Sequence, residues 1–443
     1  MNPVRETKFD TICNKYPTHR DEYVKGCWKW LKGRRADDNA EGLWRVWDKL
    51  YDLSEYVEKH PGGREWLILA KGTDITEAFE VFHMNSKPSE ILKKYYVREA
   101  KEPRNYRLTF NENDFYKTIK RKVVEKLKTI DVKKEALKSK LYFDVLLFAM
   151  ILSACASVGF ENNTLRMAAV CLAGTIACFI VNAGHNFIHL KNNWRMYGCH
   201  VVFVNFREFR TFHAMSHHLY PNTVYDLETT IYEPFFKMLP IEKSKLRITI
   251  SYAMAPVIHL FGFHAALIYR ILSQIVSGEQ IFYLDDIIGF SLPALMLLIG
   301  KASVFTTQNV IEVFIAWNMI IVVASIVFSI IGLNAGHHGT EITHEGDEFK
   351  SLDFAIHQMA ATIDRHEANS NLFMVLTHYG DHILHHFFPS LDHAVLHHFY
   401  DELNETCSEF KEELRKVSLF EATIEQYKQQ ARTKKISLSK KSE

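Results

Sequence analysis

HAMSHH, residues 213–218, puts two histidines four positions apart and a third directly after them. On a helix His213 and His217 lie one turn apart on one face with His218 beside them, so three imidazoles point into one volume. Two more stretches share the habit: HNFIH carries His185 and His189, and DHILHHFFP carries His382, His385 and His386. Each has i,i+3 or i,i+4 spacing and each adjoins long apolar segments. The eight rings therefore meet only if a membrane bundle gathers three distant helix ends. Neutral imidazoles suit iron, zinc, copper or nickel. Eight are too many for one metal and enough for two with positions left open.

The apolar segments supply the bundle. Leu141 to Phe160 and Thr164 to Gly184 are each about twenty residues long and nearly uncharged, enough to cross a hydrocarbon layer about 30 Å thick. Ile248 to Leu272 and Ile311 to Leu333 are long enough as well. Asp286 to Gly300 is shorter, contains Pro293, and reads as a half-inserted or interfacial piece. The third histidine cluster shares a site with the first two only if an even number of crossings separates them. Four spans result, or six if Asp286 to Gly300 is a real span and Tyr197 to Phe206 or another segment also crosses, whereas five would break the site. Lysines before Leu141, with Lys191, Arg195, Arg207 and Arg210 after the first hairpin, mark the histidine side as cytosolic.

Upstream of the spans, His60-Pro61-Gly62-Gly63 forms a turn, and His83 follows Phe79 and Phe82 in an apolar, aromatic setting. Two helix pairs could present these imidazoles to opposite faces of a planar metal macrocycle. With GTDITEAF at 72–79, the segment over residues 40–112 resembles a cytochrome b5 domain in the version fused to lipid desaturases. That resemblance makes His60 and His83 the axial ligands of a six-coordinate haem b, which transfers electrons and does not bind oxygen. Glu55, Glu58, Glu65, Glu77 and Glu80 then ring the pocket mouth, where a basic reductase docks by steering. The expected donor is an NADH-dependent cytochrome b5 reductase.

Residues 1–39 read as an exposed polar tail ending in KGRRADDNAEG; Trp28 and Trp30 in it have no explanation at this level. Residues 113–140 alternate basic and apolar residues at helical spacing, as in a helix lying on anionic headgroups or a solvated linker. Either way the linker tethers the haem domain at an effective concentration on the order of millimolar. The net charge of +1 gives no electrostatic case for nucleic acid. The seven cysteines form no CxxC pair and read as reduced thiols. The N-terminus has no apolar run of the signal-peptide kind.

Across residues 141–390 the chain resembles the membrane fatty acid desaturase family, most closely at the second box and at HHFFP after the third. The fold expected is an N-terminal α+β cytochrome b5-like haem domain, then an all-α multi-pass membrane desaturase domain of four to six spans with a cytosolic histidine-box cap. Residues 391–443 form a cytosolic C-terminal helix and tail. Carried over position by position, His185, His189, His213, His217, His218, His382, His385 and His386 become ligands of two iron ions. The haem-fused members usually carry Gln where this chain has His382, so the position of the double bond stays open, while the HxxHH form is used in the wider family. NAGHHG follows the last span, and Asn334, His337 or His338 in it is an additional ligand or orients the others. His393, His397 and His398 read as an exposed, partly basic face, and His200, His259 and His264 as hydrogen-bonding residues.

The resemblance implies desaturation of an acyl lipid or acyl-CoA held from the lipid bilayer in an apolar tunnel, with O2 as co-substrate and electrons arriving singly through the haem. A hydroxylase on the same scaffold and a non-catalytic membrane electron carrier are the alternatives. KKSE ends the chain with Lys440 and Lys441 in the dilysine retrieval pattern. The expected location is therefore the endoplasmic reticulum membrane, multi-pass, with both termini cytosolic. Asn162-Asn163-Thr164 is a glycosylation sequon in the short loop of the first hairpin.

Overall fold

The computed structural model describes residues 12–437 apart from 23, 232, 234 and 302–304, so Lys440 and Lys441 lie outside the described residues. The chain begins with helix α1 (Cys27–Asp37) and a three-stranded antiparallel sheet, β1 (Trp44–Val46), β2 (Lys49–Tyr51) and β3 (Tyr96–Glu99), in the order β1-β2-β3. Between β2 and β3 come three short helices, α2 (Arg64–Ala70), α3 (Thr76–Phe82) and α4 (Lys87–Leu92). Trp44, Val46, Leu53, Leu67 and Ala70 form their common core.

Residues 12–39 are not an exposed tail. Ile12, Trp30 and Leu31 are fully buried, and the Trp30 indole donates to the Tyr225 carbonyl at 2.8 Å. Arg34 explains how so charged a stretch packs. Its guanidinium lies 5.0 Å from the Trp30 ring, 4.8 Å from Tyr106 and 5.2 Å from Tyr220, and its Nε donates to Asp38 at 2.7 Å. Cation–π contact and a carboxylate together replace the water that the charge gives up.

The linker also departs from expectation. Helix α5 (Phe115–Leu127) buries Phe115, Tyr116, Ile119 and Val123 against protein, not lipid. Its lysines pair with acids of the same chain: Lys117 with Glu80 at 2.7 Å, Lys122 with Glu409 at 2.7 Å, Lys126 with Glu402 at 3.2 Å. A helix that is amphipathic in sequence finds a protein groove as readily as a bilayer surface.

Among the described residues, four helices are long and apolar enough to cross a membrane: α6 (Val132–Gly159), α7 (Asn163–His189), α10 (Lys245–Ser277) and α12 (Thr307–Ile331). Between α7 and α10 come the short helices α8 (Phe206–Phe209) and α9 (Leu227–Ile231), and between α10 and α12 comes α11 (Ser291–Leu295). Leu284–Gly300, which contains α11 and Pro293, is too short and irregular to be a fifth span, in line with the interfacial reading. Rows of exposed apolar residues such as Leu141, Val145, Phe148 and Leu152 face outward along the spans, which marks a membrane protein. Asn162 caps α7 by accepting from Thr164 N at 2.9 Å. Helix α10 breaks at Phe261, and the Phe263 N–H beyond the break donates to Ser325 Oγ of α12 at 3.2 Å. Such a break is tolerated at membrane depth because a neighbouring side chain takes the freed group. His264 reaches Asn318 at 3.1 Å, the helix-to-helix bond expected of it.

After α12 the chain folds over one end of the bundle through α13 (Phe354–Ala361), α14 (Leu372–His378), α15 (His382–Phe387), α16 (His393–Leu396), α17 (Tyr400–Phe410) and α18 (Leu419–Ala431). A parallel pair, β4 (Asp364–Arg365) with β5 (Lys416–Val417), ties α18 back to the cap. The caps of the ladder follow sequence: Asp353 accepts from Ala355 N at 2.8 Å, and Ser418 and Glu421 make a reciprocal capping box.

Candidate haem and metal site

All eight box histidines are buried and converge. Side-chain donors fall into groups within metal-binding reach: His185, His189, His213, His218 and His385, beside them His217, His386 and the non-box His337, and between these His213 and His217 with Glu228. His382 joins the second group, its Nε2 2.6 Å from that of His337. Local geometry accounts for the division. The second box winds as a π-helix over Arg210–His217, with His218 N bonded to His213 O at 2.9 Å. An i→i+5 repeat sets His218, five residues on, alongside His213, their Nε2 atoms 3.0 Å apart, and turns His217 toward the other group. Helix α15 divides its own histidines in the same way, sending His385 to the first group and His386 to the second.

The donor set fits cations. His185 Nε2 lies 2.6 Å from His213 Nε2, 3.1 Å from His385 Nε2 and 3.2 Å from His189 Nε2. One imidazole nitrogen has a single proton or a single lone pair and cannot serve three like neighbours. Cis ligands about 2.1 Å from one metal lie about 3 Å apart, which is the spacing observed. Two adjacent groups of imidazole nitrogens, with the Glu228 carboxylate beside them, are consistent with a di-iron site.

Several of the far ring nitrogens are held by groups that sequence reading missed. His213 Nδ1 meets Glu228 at 2.7 Å, His217 Nδ1 meets Asp226 at 2.9 Å, His386 Nδ1 meets Gln358 at 2.9 Å, and His337 Nδ1 meets the Ala361 carbonyl at 2.9 Å. Such partners choose the tautomer and leave Nε2 to bind. Burial alone lowers the His217 pKa, but the Asp226 and Glu228 carboxylates outweigh it and raise the group to about 9, so a metal binding at Nε2 displaces a proton. The sequence signal was YDLE at 225–228, two carboxylates in a neutral stretch just past the second box. His393 corrects an expectation: it is buried, with Nε2 3.0 Å from His385 Nδ1, while His397 is exposed as read.

NAGHHG contributes His337 alone to the groups. Gly336 makes this possible, since its φ of 136° and an Ile363 carbonyl 2.2 Å from any Cβ exclude a side chain. Asn334 donates to the Ile330 carbonyl at 2.9 Å at the end of α12, and His338 stacks on His344 at 6.1 Å.

His60 and His83 face each other with ring centroids 6.5 Å apart and planes at 88°. Their Nδ1 atoms bond the Gly63 and Phe79 carbonyls at 3.0 and 2.9 Å, so the Nε2 atoms point inward. Imidazoles bound about 2 Å from opposite faces of one iron have centroids roughly 6 Å apart, so the pair fits a haem. Burial pulls His83 down to about 4, leaving its lone pair free. The cavity between them is about 470 Å3, and the haem domain does not wall it alone. His189, Leu190, Ala214 and Met215 close it from the histidine-box side. His189 thus stands in the haem cavity's wall and in the five-histidine group at once, its ring stacked on Phe82 at 6.3 Å.

The dock between the two parts consumes most of the expected acidic rim. Glu77 is fully buried, bonded to Arg104 at 2.6 Å and to the Tyr220 hydroxyl at 3.1 Å. Glu80 takes Lys117, and Glu65 takes Asn192 Nδ2 at 2.6 Å. The turn at 60–63 joins in, with Asn192 N donating to Gly62 O at 3.1 Å. Gly63, at φ 116°, is pressed so closely on Asn192 that a Cβ would fall 2.4 Å from its Oδ1. Arg210 completes the dock by bonding the Ile188 carbonyl at 2.9 Å and stacking 4.6 Å over Trp66. Only Glu55 and Glu58 of the five stay on the open surface, and Glu58 pairs with Arg64.

A second cavity, about 170 Å3, starts at His213, His217, His337 and His382. It runs between α10 and α12 along Phe209, Phe212, Phe263 and Phe328. Gly262 lines it where an added Cβ would meet nothing within 4 Å.

Spans, histidine boxes and an upstream two-histidine pocket together define a membrane protein of the histidine-box class with a cytochrome b5-like domain in front. Residues 163–418 match the family described as Fatty acid desaturase, and residues 28–101 match the Cytochrome b5-like Heme/Steroid binding domain. The chain belongs to the fatty acid desaturase family, in the form that carries a cytochrome b5 domain in front. Its layout is similar to that of the insect cytochrome b5-related protein. The Drosophila melanogaster protein of that name is 39% identical over 429 residues, covering 96% of each chain. The Drosophila virilis protein of the same name is 48% identical over 128 residues, 29% of this chain and 89% of that one. A Delta(5) fatty acid desaturase A of Dictyostelium discoideum is 29% identical over 204 residues, 42% of this chain and 43% of that one. No solved structure matches the chain.

Proposed function

We propose that the protein is an O2-dependent desaturase of acyl lipid chains, working at a di-iron centre fed by its own haem. One observation carries the reading: His189 belongs both to the wall of the haem cavity and to the five-histidine group. An electron leaving the haem edge there needs no diffusing carrier and no docking step. In this reading His60 and His83 hold the haem, and the eight box histidines with His337 hold two irons, leaving Asn334 and His338 without that role. When bound, the irons supply the O2 activation that no side chain provides. The protein's own contribution is geometric. Asp226, Glu228, Gln358 and His393 orient ligands, and the phenylalanine-walled cavity holds an extended methylene chain and keeps water away.

The proposal also covers layout: haem domain at 40–112, linker at 113–140, desaturase domain at 141–390 and C-terminal segment beyond. It places the protein in the endoplasmic reticulum membrane with both termini cytosolic, reduced by an NADH-dependent cytochrome b5 reductase. The cavity's position between two spans favours a substrate drawn from the bilayer over soluble acyl-CoA.

The test is product analysis. Expression in a host whose lipids are fully catalogued should give a new double bond, absent with His385→Ala. A new hydroxyl group in its place would move the assignment to hydroxylase. Unchanged lipids from protein carrying full haem and iron would end the enzyme reading for that lipid pool.

A further inference from the structure

A haem is a flat apolar disc with two carboxylates on one edge. The disc's plane is set by the facing imidazoles of His60 and His83, and burying its carboxylates unpaired would cost several kcal/mol each. They must therefore lie at the cavity's polar opening. Among the charged residues that line this cavity, Arg34 and Asp74 are buried, Arg34 being bonded to Asp38 and Asp74 to Arg104. The other two are Lys87 and Lys191, both exposed. No exposed carboxylate lines the mouth, and neither ammonium has an ion pair among the described residues.

We propose that Lys87 and Lys191 hold the two haem carboxylates, so that the haem is clamped between the haem domain and the histidine-box domain. Lys87 begins α4 of the haem domain, whereas Lys191 follows His189 two residues past the first box. The haem then belongs to both domains, and its binding reports on their dock. This rests on the axial assignment of His60 and His83. It goes further by giving the desaturase part a residue that binds the haem. Two chemical consequences follow. Each ammonium neutralises a carboxylate and favours the ferrous state, which carries one more negative charge than the ferric. Each also slows haem loss, and high salt weakens the effect.

The experiment uses the full-length holoprotein in detergent. Haem transfer to an excess of apomyoglobin and the haem midpoint potential are measured for wild type, Lys87→Glu, Lys191→Glu and Lys191→Arg. Lys133→Glu, exposed and off the cavity, is the control. Each glutamate variant at the mouth should lose haem about two- to fivefold faster, the size expected for exposed ion pairs. The potential should fall in both, Lys191→Arg should match wild type, and 1 M salt should narrow the differences. Equal rates and potentials in wild type and both mouth variants, with the wild-type haem spectrum, would overturn the clamp while leaving the axial assignment standing. The same shifts in Lys133→Glu would overturn it as well. A full-length protein whose haem survives His60→Ala and His83→Ala with an unchanged spectrum would instead overturn the axial assignment beneath it.

Discussion

Asp226→Asn is expected to lower metal affinity at the second histidine group by about 10- to 100-fold, with a matching loss of activity. The Asp226 carboxylate accepts from His217 Nδ1 at 2.9 Å, from Asn222 N at 2.8 Å and from Thr229 Oγ1 at 2.9 Å. An acceptor at Nδ1 forces the proton there and leaves Nε2 with a lone pair for metal. Asparagine is nearly isosteric but can present its N–H₂ to Nδ1, which favours the opposite tautomer and blocks Nε2 with a proton. The carboxylate's charge, which adds to the basicity of the ring, is also lost. Chelator competition measures the affinity, and the haem spectrum should be unchanged because Asp226 does not line the haem cavity. Wild-type iron retention in Asp226→Asn would show that the carboxylate is only structural.

Arg104→Ala should destabilise the docked haem domain by about 3–5 kcal/mol, the range for breaking a buried ion pair from one side. Arg104 donates to Asp74 at 2.7 Å and to Glu77 at 2.6 Å, both carboxylates being buried. Without the guanidinium two negative charges face each other inside the protein. Glu77 sits in α3, one turn before the Phe82-His83 end of the haem pocket, and reaches across to Tyr220, so the strain falls on the dock. Haem absorbance followed through a denaturant titration would show an earlier loss, and double substitution of Arg104 and Glu77 should recover part of it. A midpoint within error of wild type would mean that the pair is hydrated in solution and the dock rests on Arg210, Trp66 and the Gly62–Asn192 contact.

What the sequence made legible depended on whether partners were neighbours along the chain. Histidines three and four apart beside apolar stretches announce a ligand cluster, because helical periodicity is enough to aim them. The spans were equally plain, since twenty uncharged residues have few other uses. The grouping of ligands was not legible. It turns on the π winding of Arg210–His217, which adds a His213–His218 pairing to the His213–His217 pairing that an α reading gives. His337 was one of three candidates in NAGHHG, and only the Gly336 turn singles it out.

The misread residues share a cause: their partners are not the neighbours that local helical spacing supplies. Glu77 and Glu80 look like part of an open acidic rim until Tyr220, Arg104 and Lys117 arrive. Arg34 looks like part of a charged tail until three aromatic rings enclose it. His393 looks basic and exposed until α16 brings it to His385, eight residues back. In each case a tertiary contact satisfies a charge or ring that local reading assigns to water.

The most direct measurement is non-haem iron per haem in detergent-purified protein, for wild type beside His337→Ala and His338→Ala. The account predicts about two non-haem irons per haem in wild type, a loss of iron in His337→Ala with the haem spectrum intact, and wild-type content in His338→Ala. Zinc in place of iron, or haem with no second metal, would contradict it and leave a membrane-bound electron carrier.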